Sequence, residues 1–315
     1  MFFQMPDLLV LPLALAIDLV LGEPPNPVHP VVWVGNLIGL LMKAPVYANR
    51  SRPFQFLYGV GVVLLTVGSF GVGAYFLLAF LKSVSVIAYV IVGAVLLKMA
   101  FSVRALRDAA LKVKDLLVSD KLPEARSAVR ALVGRDTAAL DQGQVVSATV
   151  ESVAENSTDS YVAPLFYFVF LGVPGAQAYR AINTLDNSIG FRGKYEYLGK
   201  FAARLDDVAN FIPARITALI FVVAARVCRS DAGNAWMVMF RDHRQTASPN
   251  GGWTMGAMAG ALGVKLEKLG HYELGDAKNS LMPATVDASL KIVALMVIFW
   301  TLVTLAGRFG YYVAT

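Results

Sequence analysis

A single cysteine in 315 residues, Cys228, excludes an internal disulfide, and with only three histidines the chain holds no zinc constellation. Cys228 lies in an apolar run and reads as an inert buried thiol. Charge is scarce too: 16% of residues are Asp, Glu, Lys or Arg, against about a quarter in ordinary soluble domains. There is no Walker A loop, no G-x-G-x-x-G turn behind a strand pattern and no nucleophile elbow, so a nucleotide would have to be held by acids, metal and arginines. What fills the chain is apolar, at 57% hydrophobic residues. This composition predicts an all-α polytopic membrane protein with several transmembrane helices, re-entrant or broken helices and a cytoplasmic amphipathic helical region. The net charge of +6 comes from Lys and Arg scattered over loops already rich in Asp and Glu, which argues for cytoplasmic loops and against nucleic acid.

In chain order, residues 7–21 form an apolar segment without the basic start or cleavage site of a signal peptide, and read as a first membrane helix. Asp18 within it should face protein or water. The string GEPPNPVHP (22–30) is a proline-broken turn that would hold His29 at the membrane surface. Residues 31–42 are too few for a crossing of about 20 residues and read as interfacial or re-entrant. Residues 54–81 and 84–101 predict a helical hairpin, and 284–306 a final crossing. From Ser102 basic and acidic residues alternate with leucine and valine; Gly134 is expected to end one helix there, and Asp136 or Thr137 to cap the next. Further on come an amphipathic stretch after Ser230, the turn-rich ASPNGGW (247–253) and a small-residue helix up to Val264. We expect one integral-membrane domain over 1–315, with 102–159 a cytoplasmic insertion and 179–208 and 229–283 cytoplasmic active-site loops.

The positive-inside rule makes most of these loops cytoplasmic, so 161–178 and 211–228 cannot both be simple crossings. Pro164, Pro174 and Pro213 suggest broken or re-entrant helices around a cytoplasm-facing polar cavity.

Three polar clusters stand between the apolar runs. Glu151, Glu155 and Asp159 are spaced i, i+4, i+8, Asn183 and Asp186 i, i+3, and Asp206 and Asn210 i, i+4, so each cluster offers oxygen donors on one helix face. Any one alone would read as a solvated face or cap. Three within sixty residues point to a hard cation, and magnesium suits a few carboxylates combined with water and phosphate oxygens. Arg180, Arg204 and Arg215 lie nearby for bidentate phosphate contacts. The residues by themselves thus describe a magnesium-dependent membrane enzyme with a phosphorylated substrate, a class that includes intramembrane phosphate and prenyl transferases. A transporter would instead place ionisable groups in mid-membrane helices.

Several strings carry a resemblance: DLVLGEP from Asp18 followed by His29-Pro30, VGRDT (133–137), VESVAEN (150–156), APLFY (163–167), AINTLDNSIG (181–190), ARLDDVANFIPAR (203–215) and SPNGGW (248–253). Together they resemble the CbiB/CobD family of cobalamin biosynthesis over nearly the whole chain. Phe191 stands where a tyrosine is common, and Gly251 where an alanine is common. The resemblance implies an adenosylcobinamide-phosphate synthase, an acid–amine ligase that spends ATP to join adenosylcobyric acid to aminopropanol or its O-phosphate. It implies Mg2+ with ATP as co-substrate and an adenosylated corrinoid as substrate, in a multi-pass cell-membrane protein whose active site faces the cytoplasm. Membrane lipid, and other cobalamin-assembly enzymes, are the partners it suggests. On this basis Glu151, Glu155, Asp159, Asp186, Asp206 and Asp207 are assigned to metal. Glu155, Asp159, Asp206, Asp207 and His29 are assigned to catalysis, and Asn183, Arg204, Asn210, Arg215, Ser248 and Asn250 to cofactor binding. A membrane regulator or sensor of the same fold is the alternative.

Overall fold

The structure is a computed structural model that describes residues 5–314 apart from 26, 28, 29, 48, 49, 192 and 194. His29, together with Arg192 and Lys194, lies outside the described residues. The order is α1 (Asp7–Leu21), α2 (Pro30–Leu41), α3 (Ala44–Tyr47), α4 (Arg52–Val84), α5 (Val86–Ala100), α6 (Arg104–Val118), α7 (Leu122–Val129) and α8 (Gln142–Ser157). A π-helical turn (Thr158–Val162) follows, then α9 (Ala163–Ile189), α10 (Lys200–Ala209), α11 (Phe211–Val227), α12 (Ala232–Asp242) and α13 (Gly251–Leu262). A hairpin of β1 (Leu266–Lys268) and β2 (Tyr272–Leu274) precedes α14 (Pro283–Ala314). The segments Arg52–Val84, Val86–Val118, Gln142–Ile189 and Pro283–Tyr311 are long and apolar enough to cross a membrane. The pair Lys200–Ala209 and Phe211–Val227 qualifies only when taken together across its break. Of the suspected breakers, Pro213 sits in the first turn of α11, where proline is tolerated, and Pro164 follows directly on the π-helical turn, where the hydrogen-bond register changes. Pro174 follows a real kink at Gly172, whose φ of 65° and ψ of −160° suit glycine alone.

Two compact units are formed, the first from 1–102, 163–209 and 303–315, the second from 103–162 and 210–302. In the first, α1 lies along α5. Its 15 residues span about 22 Å at 1.5 Å each, short of a ~30 Å hydrocarbon core, so by length it is not a crossing on its own. Asp18 is fully buried, as an acid in this setting must be if it is to meet a partner, and the partner is Lys98, whose Nζ stands 3.0 Å from Asp18 Oδ1 and 2.8 Å from Glu23 Oε1. Asp7, at the other end of α1, is paired with Arg308 and accepts from the Tyr89 hydroxyl. Between α2, α4, α9 and α10 lies a core of Val34, Ile38, Val62, Val63, Ala181, Leu185, Ile189 and Ala202. Outward-facing Leu57, Leu64, Val72, Phe76 and Phe80 on α4 present the apolar surface a lipid-facing helix needs.

In the second unit, α7 ends at Arg130 rather than Gly134, and the cap of α8 is Asp141, not Asp136 or Thr137. Asp141 accepts from Gln144 N at 2.8 Å while the Gln144 side chain accepts from Asp141 N at 2.9 Å, a reciprocal box that satisfies two orphan donors. Thr137 and Asp136 serve the preceding turn instead, through Arg126 O and Ala138 N. The hairpin, pairing Leu266 with Leu274 around Gly270 (φ 72°), is the one departure from the all-helical expectation among the described residues. It is tied to α12 by Asp242, which accepts two 2.8 Å bonds from Arg241, one of 2.8 Å from Gly275 N and one of 3.2 Å from Gln245. Burial alone would raise the Asp242 carboxyl, but these donors hold it below the usual carboxylate range.

Removing Lys98 takes the ammonium from beside the buried Asp18 carboxylate, so Lys98→Met is expected to lower stability by about 3–5 kcal/mol and by more than Asp18→Asn, read by thermal unfolding in detergent. Because the folded-state value of Asp242 is depressed, its stabilisation is present above the unfolded value near ~3.9 and is lost as pH falls through the folded one. The same unfolding measurement carried below pH ~4 should show a shallower loss in Asp242→Asn than in the native chain.

Candidate active site

The first unit carries Asn183, Asp186, Arg204, Asp206 and Asp207. Asn183 is buried on α9, and its Oδ1 accepts from Arg180 Nη1 at 3.3 Å, one turn earlier. Asp186 lies one turn further on, half-buried and close enough to Asp207 of α10 for their charges to interact. Gly190 makes room for it: a Cβ there would fall 2.0 Å from Asp186 Oδ1. Arg204 is exposed on α10, and Asp206 and Asp207 are half-buried in its last turns. Tyr167 stacks on Tyr179 at 5.3 Å, and its hydroxyl donates to Ala209 O at the end of α10.

The second unit separates two glutamates that lie one turn apart. Glu151 is buried, its Oε1 accepting from Ser147 Oγ at 2.7 Å and from Arg135 Nη2 at 3.3 Å, its Oε2 from the Tyr272 hydroxyl at 2.7 Å. Burial, then the charges of Glu151 and Glu155, drives the Tyr272 hydroxyl well above its ordinary range, so it stays a donor. Glu155 is exposed and lies against the first residue of α13, where a Cβ on Gly251 would come 2.8 Å from its Oε1. The alanine expected at that position would push this carboxylate aside. Asp159 does not continue the same face, because α8 ends at Ser157 and Asp159 falls in the π-helical turn, where the register changes.

Arg215 is held between the rings of Phe211 (3.5 Å) and Trp253 (4.9 Å), and its Nη1 donates to Phe211 O at 2.6 Å and to Asn250 Oδ1 at 3.1 Å. Ser248 Oγ accepts from Asn250 N at 3.2 Å, so Ser248 and Asn250 build the turn that orients the arginine. The Trp253 indole N–H is buried with no hydrogen-bond partner among the described residues, a donor left over beside the guanidinium. Asn210 is buried at the start of α11, where its side chain makes no capping bond to the helix.

Among the described residues, no three His, Cys, Asp or Glu stand together as a protein-only metal cage. Magnesium does not need one, since it is bound through one or two carboxylates plus water and substrate phosphates. The Asp186–Asp207 pair, with Gly190 leaving space at the carboxylate, fits that mode. Arg135 and Tyr272 were missed as site residues. Arg135 had a signal in the VGRDT string, whereas Tyr272 reaches Glu151 from 121 residues away and had none.

These features define a polytopic helical membrane protein that presents carboxylate, amide and arginine groups at helix ends and breaks. The chain belongs to the CobD/Cbib protein family, which matches residues 11–296. It is 49% identical over 300 residues to the cobalamin biosynthesis protein CobD of Dehalococcoides mccartyi, covering 95% of this chain and 97% of that one. A probable cobalamin biosynthesis protein CobD of Methanocaldococcus jannaschii is 39% identical, covering 86% and 89%. Its namesake in Pyrococcus furiosus is 38% identical, covering 96% and 99%. No solved structure matches the chain.

If Tyr272 and Ser147 exist to hold Glu151, Tyr272→Phe and Glu151→Gln should each lower stability by about 1–3 kcal/mol. Their double variant should lose little more than the worse single one; simple additivity in thermal unfolding would deny the coupling.

Proposed function

We propose that the chain is an enzyme of cobalamin biosynthesis, an ATP- and magnesium-dependent ligase that joins adenosylcobyric acid to aminopropanol or its O-phosphate, giving adenosylcobinamide or its phosphate. The observation that carries this reading is family membership over residues 11–296, and the clustered carboxylates and pinned arginine suit the chemistry. A carboxylate does not react with an amine until it is activated. In the proposed sequence a substrate carboxylate oxygen attacks the γ-phosphorus of ATP and ADP departs, leaving an acyl phosphate. The amine nitrogen then attacks the acyl carbon, the C–N bond forms, inorganic phosphate leaves and the nitrogen loses its proton.

Asp186 and Asp207, with Asp206 beside them, would hold magnesium, which supplies charge neutralisation on the phosphoryl group. Glu155 and Asp159 are the accessible acids of the second unit and are assigned metal and phosphate contacts there. Glu151, with both oxygens bound inside the protein, anchors α8 and keeps Glu155 in place. Arg215, fixed by Asn250 and two aromatic rings, is a preorganised phosphate donor, and exposed Arg204 on α10 is assigned a phosphate contact as well. Asn183 and Asn210 orient. His29 is assigned a substrate contact as acceptor of the amine proton. The active site faces the cytoplasm, where ATP is supplied.

Detergent-purified protein given adenosylcobyric acid, aminopropanol phosphate, ATP and magnesium should release ADP in step with amide product, followed by mass. Asp206→Asn and Asp207→Asn should each reduce turnover by about 100-fold or more without loss of expression. Near-normal turnover in either would remove that residue from the site, and no product with either form of the amine would remove the ligase reading.

A further inference from the structure

In the second unit α12 is turned inside out. Its polar side chains face the protein: Asn234 donates to Gly260 O and accepts from Lys278 Nζ, both at 2.8 Å, and buried Asp242 gathers the donors described above. Its large apolar ones face away, with Trp236 48%, Met237 63% and Phe240 47% exposed. With exposed Gly233 these recur at i, i+3, i+4 and i+7, which makes one stripe along the helix. The preceding helix, α11, is sorted in the same sense: beside Ile220 and Phe221 it buries Ala214, Ala218, Ala224 and Ala225, and it leaves Leu219, Val223 and Val227 open. Water drives the opposite sorting, and a lipid environment removes that drive. The open rings also join up at one end. Trp236 meets Phe240 at 4.8 Å, Phe240 meets Trp253 at 5.4 Å, and Arg215 bridges Trp253 to exposed Phe211 at the start of α11.

Charge and length decide what covers this face. Arg226 and Arg229 lie at the turn from α11 to α12 and Arg244 just beyond the other end of α12; all three are exposed, and none pairs with a carboxylate among the described residues. Guanidiniums at both ends of a Trp-Met-Phe stripe complement the phosphate headgroups and acyl chains of a lipid leaflet. At 11 residues α12 is about 16 Å long, too short to cross a ~30 Å hydrocarbon core, so it lies along the boundary rather than through it. We infer that α12 is an interfacial helix docked on a phospholipid bilayer, with Trp236, Met237 and Phe240 at the headgroup–acyl boundary and Arg226, Arg229 and Arg244 donating to lipid phosphates. The outward face of α11 continues the same lipid contact. This goes beyond the ligase reading and does not rest on it, but it bears on it: Arg215, assigned to phosphate, lies only two rings, Trp253 and Phe240, from the membrane surface.

The test is electron paramagnetic resonance of the full-length protein in vesicles of phosphatidylcholine and phosphatidylglycerol. In a Cys228→Ser background a nitroxide is attached at one exposed position at a time: Met237→Cys and Leu219→Cys on the two helices, Phe76→Cys on α4 as the lipid reference and Glu273→Cys on β2 as the water reference. Labels at 237 and 219 should collide readily with dissolved oxygen and be shielded from a water-soluble nickel chelate, as at 76 and opposite to 273. A label at 237 that meets the chelate as readily as the one at 273 overturns the inference. So does a label shielded from both reagents, which marks a protein or a second copy over the face, and so does one shielded from the chelate only after ATP is added, which marks a nucleotide. Replacing Arg226, Arg229 and Arg244 together by Gln should shift the 237 label towards the chelate in these vesicles, and no shift overturns the phosphate contacts. All these side chains are exposed, and a thermal midpoint matching the native protein's confirms that each variant is folded. No readout depends on turnover, so failure of this inference and failure of the ligase reading are distinguishable.

Discussion

Lys98 sits in an otherwise apolar helix, and an ammonium there is tolerable only where carboxylates surround it. Asp18 and Glu23 do so from either side of Gly22, whose φ of 73° lets the chain leave α1 sharply. One ion triad therefore sets the register of α1 on α5 and fixes where the proline-rich turn begins. Asp7, with Arg308 and Tyr89, pins the other end of the same short helix. A 15-residue helix with exposed Leu19, Val20 and Leu21 has little apolar packing to hold it at that end, and the buried charges supply the specificity that packing does not.

The second unit shows the same residue type put to two uses one helical turn apart. Glu151 has three donors and is buried; Glu155 is exposed beside the first residue of α13. Spacing alone makes them equivalent, and only the hairpin that delivers Tyr272 and the turn that delivers Arg135 tell them apart. A missing side chain completes the arrangement. Gly251 leaves the space that Glu155 occupies, much as Gly190 leaves the space for Asp186, so two glycines shape the reach of two carboxylates.

Much of the fold was legible because lipid-like runs announce themselves by length: the helices at 52–84, 86–100 and 283–314 follow directly from apolar stretches. The identity of Asp18 as a buried acid was legible for the same reason, since carboxylates are disfavoured in such a run. Its partner was not, because Lys98 lies 80 residues away inside a stretch that reads as uniformly apolar. The α8 cap was missed although Asp141 and Gln144 carry the capping-box spacing; the glycine at 134 drew the boundary too early. The hairpin has strands of three residues, too short for alternation to show. Asp159 was placed by extrapolating a 3.6-residue period through a π-helical turn, which no periodicity argument anticipates.

The positions of the acids within their helices bear on what they attract. Asp186 lies in the last turn of α9, and Asp206 and Asp207 in the last turns of α10, where the helix dipole presents partial negative charge. Each carboxylate is disfavoured there by about 0.3–1 kcal/mol, and the Asp186–Asp207 repulsion adds to it. A cation relieves both penalties at once. The second unit is arranged with the opposite sign at Arg215, which stands beside Trp253 in the first turn of α13, the end of a helix that favours anions.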